Sequence, residues 1–324
     1  MQYMTQGEAD AVDALLPGNQ AYGVGSRLKA SLDAAVLGFA TRWYVDGAAA
    51  TANGRKSKGS DENDGLSKET PFRTMAKVFT KIKSGDIIFV YGKLTEQIIA
   101  PLGVFDVTII GCGNRPRHDG AHWAPLATAT ATPNLVLREQ GWSIFNILFD
   151  APDAAAAIQI RRDEDATYPD GSHATIEGCL FLSGGTGIED VGGMHNCVIR
   201  GNRFEDLTNG IKTVSAGIAV PLQNTIEGND FDGCENEISI SGSRCIIRGN
   251  SFAGLNSAGS DNTMIINTKA VSSQGGKNLV YGNYINVATA IFAAGLRLVG
   301  ATGDMWNDNY NSDTAAVEVG IPAP

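Results

Sequence analysis

The chain has 324 residues, 43% of them hydrophobic, which is enough for one large domain with a real core. Lys and Arg total 25 against 35 Asp and Glu, a net charge of −10, and this argues against nucleic acid or an anionic membrane as the main partner, since both ask for a basic face. Five cysteines with no close CxxC pair speak against a zinc site or a disulfide scaffold, while 39 glycines against 11 prolines fit a chain that must turn often.

In chain order, the first ten residues have neither a basic nor an apolar leader region, and no run approaches the ~18 apolar residues of a spanning helix. The expectation is a protein made in a cytoplasm, not inserted in a membrane, and reaching any outside location by lysis or another non-Sec route. Residues 1–40 differ in character from the remainder of the chain. Stretches 11–16 and 27–36 read as two short amphipathic helices with apolar positions Leu15, Leu16, Leu28, Leu32 and Val36, joined by the Gly/Pro-containing linker 17–25. Helices this short are marginal alone and need a surface to cover.

Next come Trp43-Tyr44-Val45-Asp46, Asp61-Glu62-Asn63-Asp64-Gly65-Leu66-Ser67, Thr70-Pro71-Phe72-Arg73-Thr74-Met75 and Gly92-x-x-x-Glu96. Thr70 is read as the cap of a helix over about 71–83, with Pro71 first and Phe72, Met75, Ala76 and Phe79 apolar. Gly85 ends it, and Ile87-Ile88-Phe89-Val90 is read as the first buried strand. Such a helix is a lid for the open end of a stacked fold.

From there one pattern recurs: a short β run, then Gly-Asn-x-Phe, then a loop and a second β run. The clear copies are Cys197-Val198-Ile199-Arg200-Gly201-Asn202-Arg203-Phe204, Asn224-Thr225-Ile226-Glu227-Gly228-Asn229-Asp230-Phe231 and Cys245-Ile246-Ile247-Arg248-Gly249-Asn250-Ser251-Phe252. Weaker copies cover 143–149, 174–181, 278–285 and 304–310. The Gly marks at 178, 201, 228, 249 and 282 are spaced 23, 27, 21 and 33, so the shortest interval is about one solenoid rung and longer ones carry loops. Inward Ile176, Ile199, Ile226, Ile247 and Val280 form one stack, and Phe181, Phe204, Phe231 and Phe252 another. Asn202, Asn229, Asn250 and Asn283 form a side-chain amide ladder. Just before each Gly stand Glu177, Arg200, Glu227, Arg248 and Tyr281, an outward column alternating in charge that penalises slipped pairing. The second β run is 210–212, 237–240 and 290–292. The fold expected is all-β: a right-handed single-stranded parallel β-helix over 41–310, preceded by short N-terminal helices and closed by a cap or tail over 311–324. Eight or nine rungs at ~4.8 Å make it about 40 Å long.

The order of motifs from Trp43 to Glu96 closely resembles the opening of right-handed β-helix proteins of the pectate-lyase-like superfamily, to which phage tailspikes and other virion-attached β-helices belong. The resemblance covers 41 to about 310 and implies a fold. It does not imply one activity, because lyases, hydrolases and inert structural proteins share that fold. Residues 1–40 then have two readings. One is a second lid on the solenoid's end. The other, weighted more heavily because 71–83 already supplies a lid, is an arm docking onto a virion partner or a trimer mate, similar to the attachment segments of phage spikes and head fibres.

The Asn-Thr-Asp, Asp-Asp, Gly-His-Gly and Arg-Ile-Lys segments of polygalacturonase-like enzymes do not occur. Glycoside hydrolysis minimally needs two carboxylates roughly 5–10 Å apart. The weak candidates are Asp206, Asp230, Asp232 and Glu235, most of which come just after the Gly-Asn-x-Phe turn and are more simply read as solvated loop residues. Residues 161–171 lack EF-hand spacing, and His118-x-x-x-His122 lies in a Gly/Pro-rich loop instead of a helix, so no metal site and no cofactor are expected. Cys197 and Cys245 share a column and read as small buried hydrophobes. The leading expectation is a phage virion structural protein (head decoration, fibre or short spike): a homotrimeric rigid β-helix, attached through residues 1–40 to other virion proteins and exposed to host surface glycan. The alternatives are a tailspike-type polysaccharide depolymerase with paired carboxylates, and a non-cleaving glycan adhesin using Trp123, Trp142, Tyr281 and Tyr310.

Overall fold

The structure, a computed structural model, describes residues 40–47, 58–113, 120–125, 131–162, 171–214, 222–253, 264–268, 276–285, 298–299, 303–311 and 316–318. It is a parallel β-helix. Its first face is a sheet of ten strands, Arg42–Asp46, Ile87–Tyr91, Thr108–Gly111, Ser143–Phe145, Thr175–Glu177, Val198–Arg200, Thr225–Glu227, Ile246–Arg248, Leu279–Tyr281 and Met305–Asn307, each paired in parallel with the next. At ~4.8 Å per step the stack is about 43 Å long.

The second and third faces are joined by two bent strands, Leu180–Val191 and Arg203–Thr213, whose first parts pair on one face and whose last parts pair on the other. The bend is made at Ser183 and Asp206, both with positive φ. At the far end Ala316–Glu318 runs antiparallel to Asn309–Asn311 and covers the last strand edge of the second face.

Each face contributes a long inward column, because side chains alternate along a strand. The first is Trp43, Ile88, Ile109, Ile144, Ile176, Ile199, Ile226, Ile247, Val280 and Trp306, so a tryptophan closes each end of the isoleucine stack. The second is aromatic: Trp123, Phe149, Phe181, Phe204, Phe231 and Phe252, with successive ring centroids 5.8, 5.3, 4.8, 4.7 and 5.1 Å apart. The third is Ile98, Leu135, Ile158, Ile188, Ile211, Ile238 and Ile266.

The corner between the first and second faces is where the repeat has its structural role. Gly178, Gly201, Gly228, Gly249 and Gly282 have φ of 64, 60, 61, 59 and 63°, and a Cβ on any of them would meet open space. The demand is therefore torsional and not steric. Asn146 and Asp308 fill the same corner at φ 53 and 52°, since short polar side chains tolerate this region. The asparagine after the corner is buried. Asn229 Oδ1 accepts from both N and Nδ2 of Asn202 (3.0 and 3.1 Å), while its own Nδ2 donates to Ile199 O and to Asn250 Oδ1, each at 3.0 Å. The chain of amides continues through Asn250 and Asn283 and ends at Asn309.

A second ladder runs along the corner that enters the first face. Asn224 accepts from Cys197 N, Asn278 from Cys245 N, and Asp304 from Asn278 N. The residues before them, including Asn196, Gln223, Arg244 and Lys277, again have positive φ. Cys197 and Cys245 are buried in this column as expected, with Asn224 between them.

The N-terminal end of the solenoid departs from the reading of the sequence in two places. The first strand is Arg42–Asp46, ahead of Ile87–Tyr91, which raises the rung count to ten. The helix is also confined to Met75–Phe79 and is capped by Thr74, not extended over 71–83 with Thr70 as cap. Residues before it cannot be helical because they serve the open edge of the first strand: Phe72 N donates to Tyr44 O, and Asp46 N to Phe72 O. Thr70 instead gives its hydroxyl to Asp64. Gly65 is required here by space, since its Cβ would fall 2.2 Å from the Phe72 ring. Glu96 reaches the helix start, its two oxygens accepting from Met75 N and Ala76 N at 2.7 and 2.9 Å. Burial nonetheless holds its carboxyl above the usual range.

These corners differ in what a substitution removes. Gly228→Ala should cost only ~1 kcal/mol, a torsional penalty without a clash. Asn229→Ala removes the acceptor of Asn202 N–H, one of the two acceptors of Asn202 Nδ2 and the side-chain donor to Ile199 O, and should cost on the order of 3 kcal/mol. Urea denaturation of the two variants beside the parent measures both; equal losses would show that the ladder adds nothing to the turn.

Candidate functional site

Phe204 and Phe231 point inward on the second face, so their neighbours Arg203, Glu205, Asp230 and Asp232 point outward on two adjacent rungs. Arg203 is the hub of this group. Its Nη2 lies 3.0 Å from Asp232 Oδ2, its Nε 3.7 Å from Asp230 Oδ2, and its Nε also contacts Glu205 Oε1. Glu205 is almost covered, whereas Asp230, Asp232 and Arg203 stay partly open to solvent.

Two of the four weak catalytic candidates thus come together, and two do not. Asp230 and Asp232 sit two residues apart on one strand, their Cα atoms ~7 Å apart by strand geometry. Asp206 stands exposed at the bend of the preceding rung, next to Gly233, whose Cβ would fall 2.8 Å from Asp206 Oδ1. Glu235 is exposed beyond that bend, tied to the stack by its backbone N–H to Leu207 O. A hydrolytic pair needs one carboxyl to face a leaving group and the other a water or sugar carbon. Here Asp230 and Asp232 turn to the same guanidinium, and the group reads as an inter-rung ion cluster.

The same face carries His122 paired with Asp150 at 2.8 Å, and at its far end a stacked pair, Tyr284 and Tyr310, with ring centroids 5.5 Å apart. Tyr284 is 44% exposed. Of the aromatic residues considered for sugar contact, Trp123 and Trp142 are fully buried and give their indole N–H to Glu96 O and Val104 O, so they belong to the core. Tyr281 accepts Arg248 Nη1 at 2.9 Å at the end of the charged outer column, in which Arg200 pairs with Glu177 and Arg248 with Glu227.

Among the described residues no group of three or more His, Cys, Asp and Glu is placed to hold a metal ion. His118 and residues 163–170 lie outside the described residues, as do the proposed docking positions Leu15, Leu16, Leu28, Leu32 and Val36 and the β run at 290–292.

Asp190, which the sequence offered only as one of many acidic residues, is a buried carboxyl with a strongly changed environment. Asp190 faces inward, aligned with Ile160 on one side and Thr213 on the other. Its Oδ1 accepts from Gly193 N and Met194 N at 3.0 and 2.8 Å. Asp190 Oδ2 and Thr213 Oγ1 are buried with no hydrogen bond. Burial dominates and pushes Asp190 up to about 7. Its sequence signal was a charged residue at an inward position of an aliphatic column, visible only once the bend at Ser183 sets the phase of the strand.

The chain matches no protein-family model and no curated protein.

Asp190 lies inside the solenoid, where a polymer cannot reach, so its consequence is for stability. Its folded pKa is raised, so the folded state binds the proton more tightly. The stabilisation is complete below about pH 4 and disappears as pH climbs to about 7. Asp190→Asn should therefore flatten the pH dependence between those values. It should also stabilise the protein at pH 8 by an amount bounded by about 4 kcal/mol. Thermal melts of parent and variant across pH 4–8 check the sign.

Proposed function

We propose that the chain is a structural protein of a phage particle, a rigid β-helix of the pectate-lyase-like kind displayed on the virion surface and attached through its N-terminal segment. The observation that supports this reading best is the use made of the outward charges. Glu177–Arg200, Glu227–Arg248–Tyr281 and the Arg203 cluster all link one rung to the next. The carboxylates are spent on stiffening a rod and not on an open acid–base pair. The net charge of −10 suits dense display, because like-charged surfaces keep neighbouring copies apart. Trimeric assembly belongs to the same proposal and rests on the family resemblance.

The enzyme reading keeps one specific observation in its favour: Asp230 and Asp232 face the same side of one strand, with both carboxylates partly open to solvent. As a depolymerase, the protein would release reducing ends from host polysaccharide, and Asp232→Asn would abolish the release.

The particle itself decides between these readings. Cryo-EM of virions should show rod-shaped density on the head or tail surface, absent from particles whose protein lacks residues 1–40. The purified protein should have the mass of a trimer at high concentration and release no reducing sugar. Monomer alone removes the trimer; sugar release abolished by Asp232→Asn replaces the structural reading with the enzymatic one.

A further inference from the structure

Two edges of the solenoid depart from the rule that outward charges pair from rung to rung. The corner that enters the first face presents Asn196, Gln223, Arg244 and Lys277, one per rung, because the residues just before them are bridged in parallel from His195 to Gly276. All four are exposed. Arg244 and Lys277 therefore stand on neighbouring rungs ~4.8 Å apart, and like charges placed so cost stability. Among the described residues no carboxylate lies within ion-pair distance of either. On the bend between the second and third faces the sign is reversed. Asp206 and Glu235 are exposed there on adjacent rungs, Glu235 giving its backbone N–H to Leu207 O. Among the described residues no cation pairs with them, since Arg203 is taken up by Glu205, Asp230 and Asp232.

The two edges carry these charges at matching heights. Glu235 and Arg244 belong to one turn, between the corner glycines Gly228 and Gly249, with Asp206 one turn before and Lys277 one turn after. Beside the basic edge runs an outward column of the first face: Val198, Thr225, Ile246, Leu279 and Met305. Val198, Ile246 and Leu279 are partly exposed and Met305 is 67% exposed, so the cations are bordered by accessible apolar surface. The earlier rungs of this face offer no such surface. Their outward Tyr44, Phe89, Ile110 and Phe145 are only 4, 3, 1 and 3% exposed.

We propose that copies of this chain associate side by side with their axes parallel, the basic edge of one copy lying against the acidic edge of the next. Within one chain the two edges stand on opposite margins of the third face, so each finds its complement only on another copy. Glu235 and Arg244 form the centre of the contact, with Ile246 and Leu279 beside it. Asp206 and Lys277 lie one turn to either side, ~5 Å along the axis, close enough to add attraction within a Debye length. A contact between two different surfaces of a chain closes a ring when it carries no axial shift. Here the central pair shares one turn, so the ring closes. The contact gives a place to the trimer proposed above and rests on that reading.

Sedimentation velocity of the full chain at low salt reads the assembly directly. The parent should run as a trimer. Arg244→Glu/Lys277→Glu and Asp206→Lys/Glu235→Lys should each weaken association by about tenfold or more. The variant combining all four substitutions should associate as the parent does, because it restores opposite charges with the sides exchanged. Added salt should weaken the parent and the combined variant alike. A parent that stays monomeric removes the trimer and this contact with it. A trimeric parent whose two pair variants are also trimeric leaves the trimer standing and overturns only the contact. Dissociation in the basic-edge pair without recovery in the combined variant also overturns it, since the neighbour then presents another surface. Circular dichroism melts check folding. If a reversed pair melts early, the neutral pairs Arg244→Gln/Lys277→Gln and Asp206→Asn/Glu235→Gln take its place, and trimers as tight as the parent's in both overturn the contact.

Discussion

A solenoid has to bend its backbone several times per rung and still leave no N–H or C=O stranded in a dry interior. In this protein the bend into the second face is made by one residue of positive φ, and the residue behind it carries the amide that repairs the hydrogen bonding. Each corner asparagine accepts from the rung before it and donates across to the carbonyl of a strand, so that no ladder member is satisfied by its own rung alone. The rest of the architecture depends on that coupling. With the corners locked in register, the inward phenylalanines fall directly over one another, and the isoleucines of the other two faces do the same. The interior then has no freedom to slip by a residue, since a slip would turn every side chain to the wrong face.

The same register governs the outside. Outward residues of consecutive rungs are brought to strand spacing whether or not they are chosen to interact, so opposite charges become ladders and like charges become a cost. That is why the acidic residues of the second face end up around Arg203, and why the column of alternating Glu and Arg on the first face links neighbouring rungs. The exceptions carry the information. Asp190 interrupts an inward aliphatic column and is left with one oxygen unbonded. Tyr44 to Phe145 interrupt what would otherwise be a polar outer column, and they are covered. A polar residue inside and an apolar patch outside are the two departures that call for an explanation beyond the repeat.

Much of the solenoid was legible because its signals are local and repeated. Gly-Asn-x-Phe specifies the corner torsion, the buried amide and the aromatic stack within four residues, and each recurrence adds to the same answer. The N-terminal end was read less well. Thr70-Pro71 has the form of a helix start, yet the edge of Arg42–Asp46 competes for the backbone of Phe72 and wins, which shortens the helix to Met75–Phe79. The second ladder, at Asn224 and Asn278, escaped notice because cysteine alternates with asparagine there and hides the period. For the candidate site, the sequence supplied the acidic residues but not the hub. Arg203 lies in one copy of the repeat and Asp230 and Asp232 in the next, 27 and 29 residues on, and only strand pairing brings them together.

By itself, then, the sequence determined the parallel β-helix, the phase of its inward columns and the corner residues, since those depend on backbone torsion and side-chain alternation within a single rung. Tertiary structure decided which outward residues meet, that Trp123 and Trp142 belong to the core, and that Asp190 faces inward with its proton held more tightly. These depend on loop lengths between rungs and on a bend in mid-strand that resets the alternation. No local pattern encodes either, because both are settled by how one rung lies on the next.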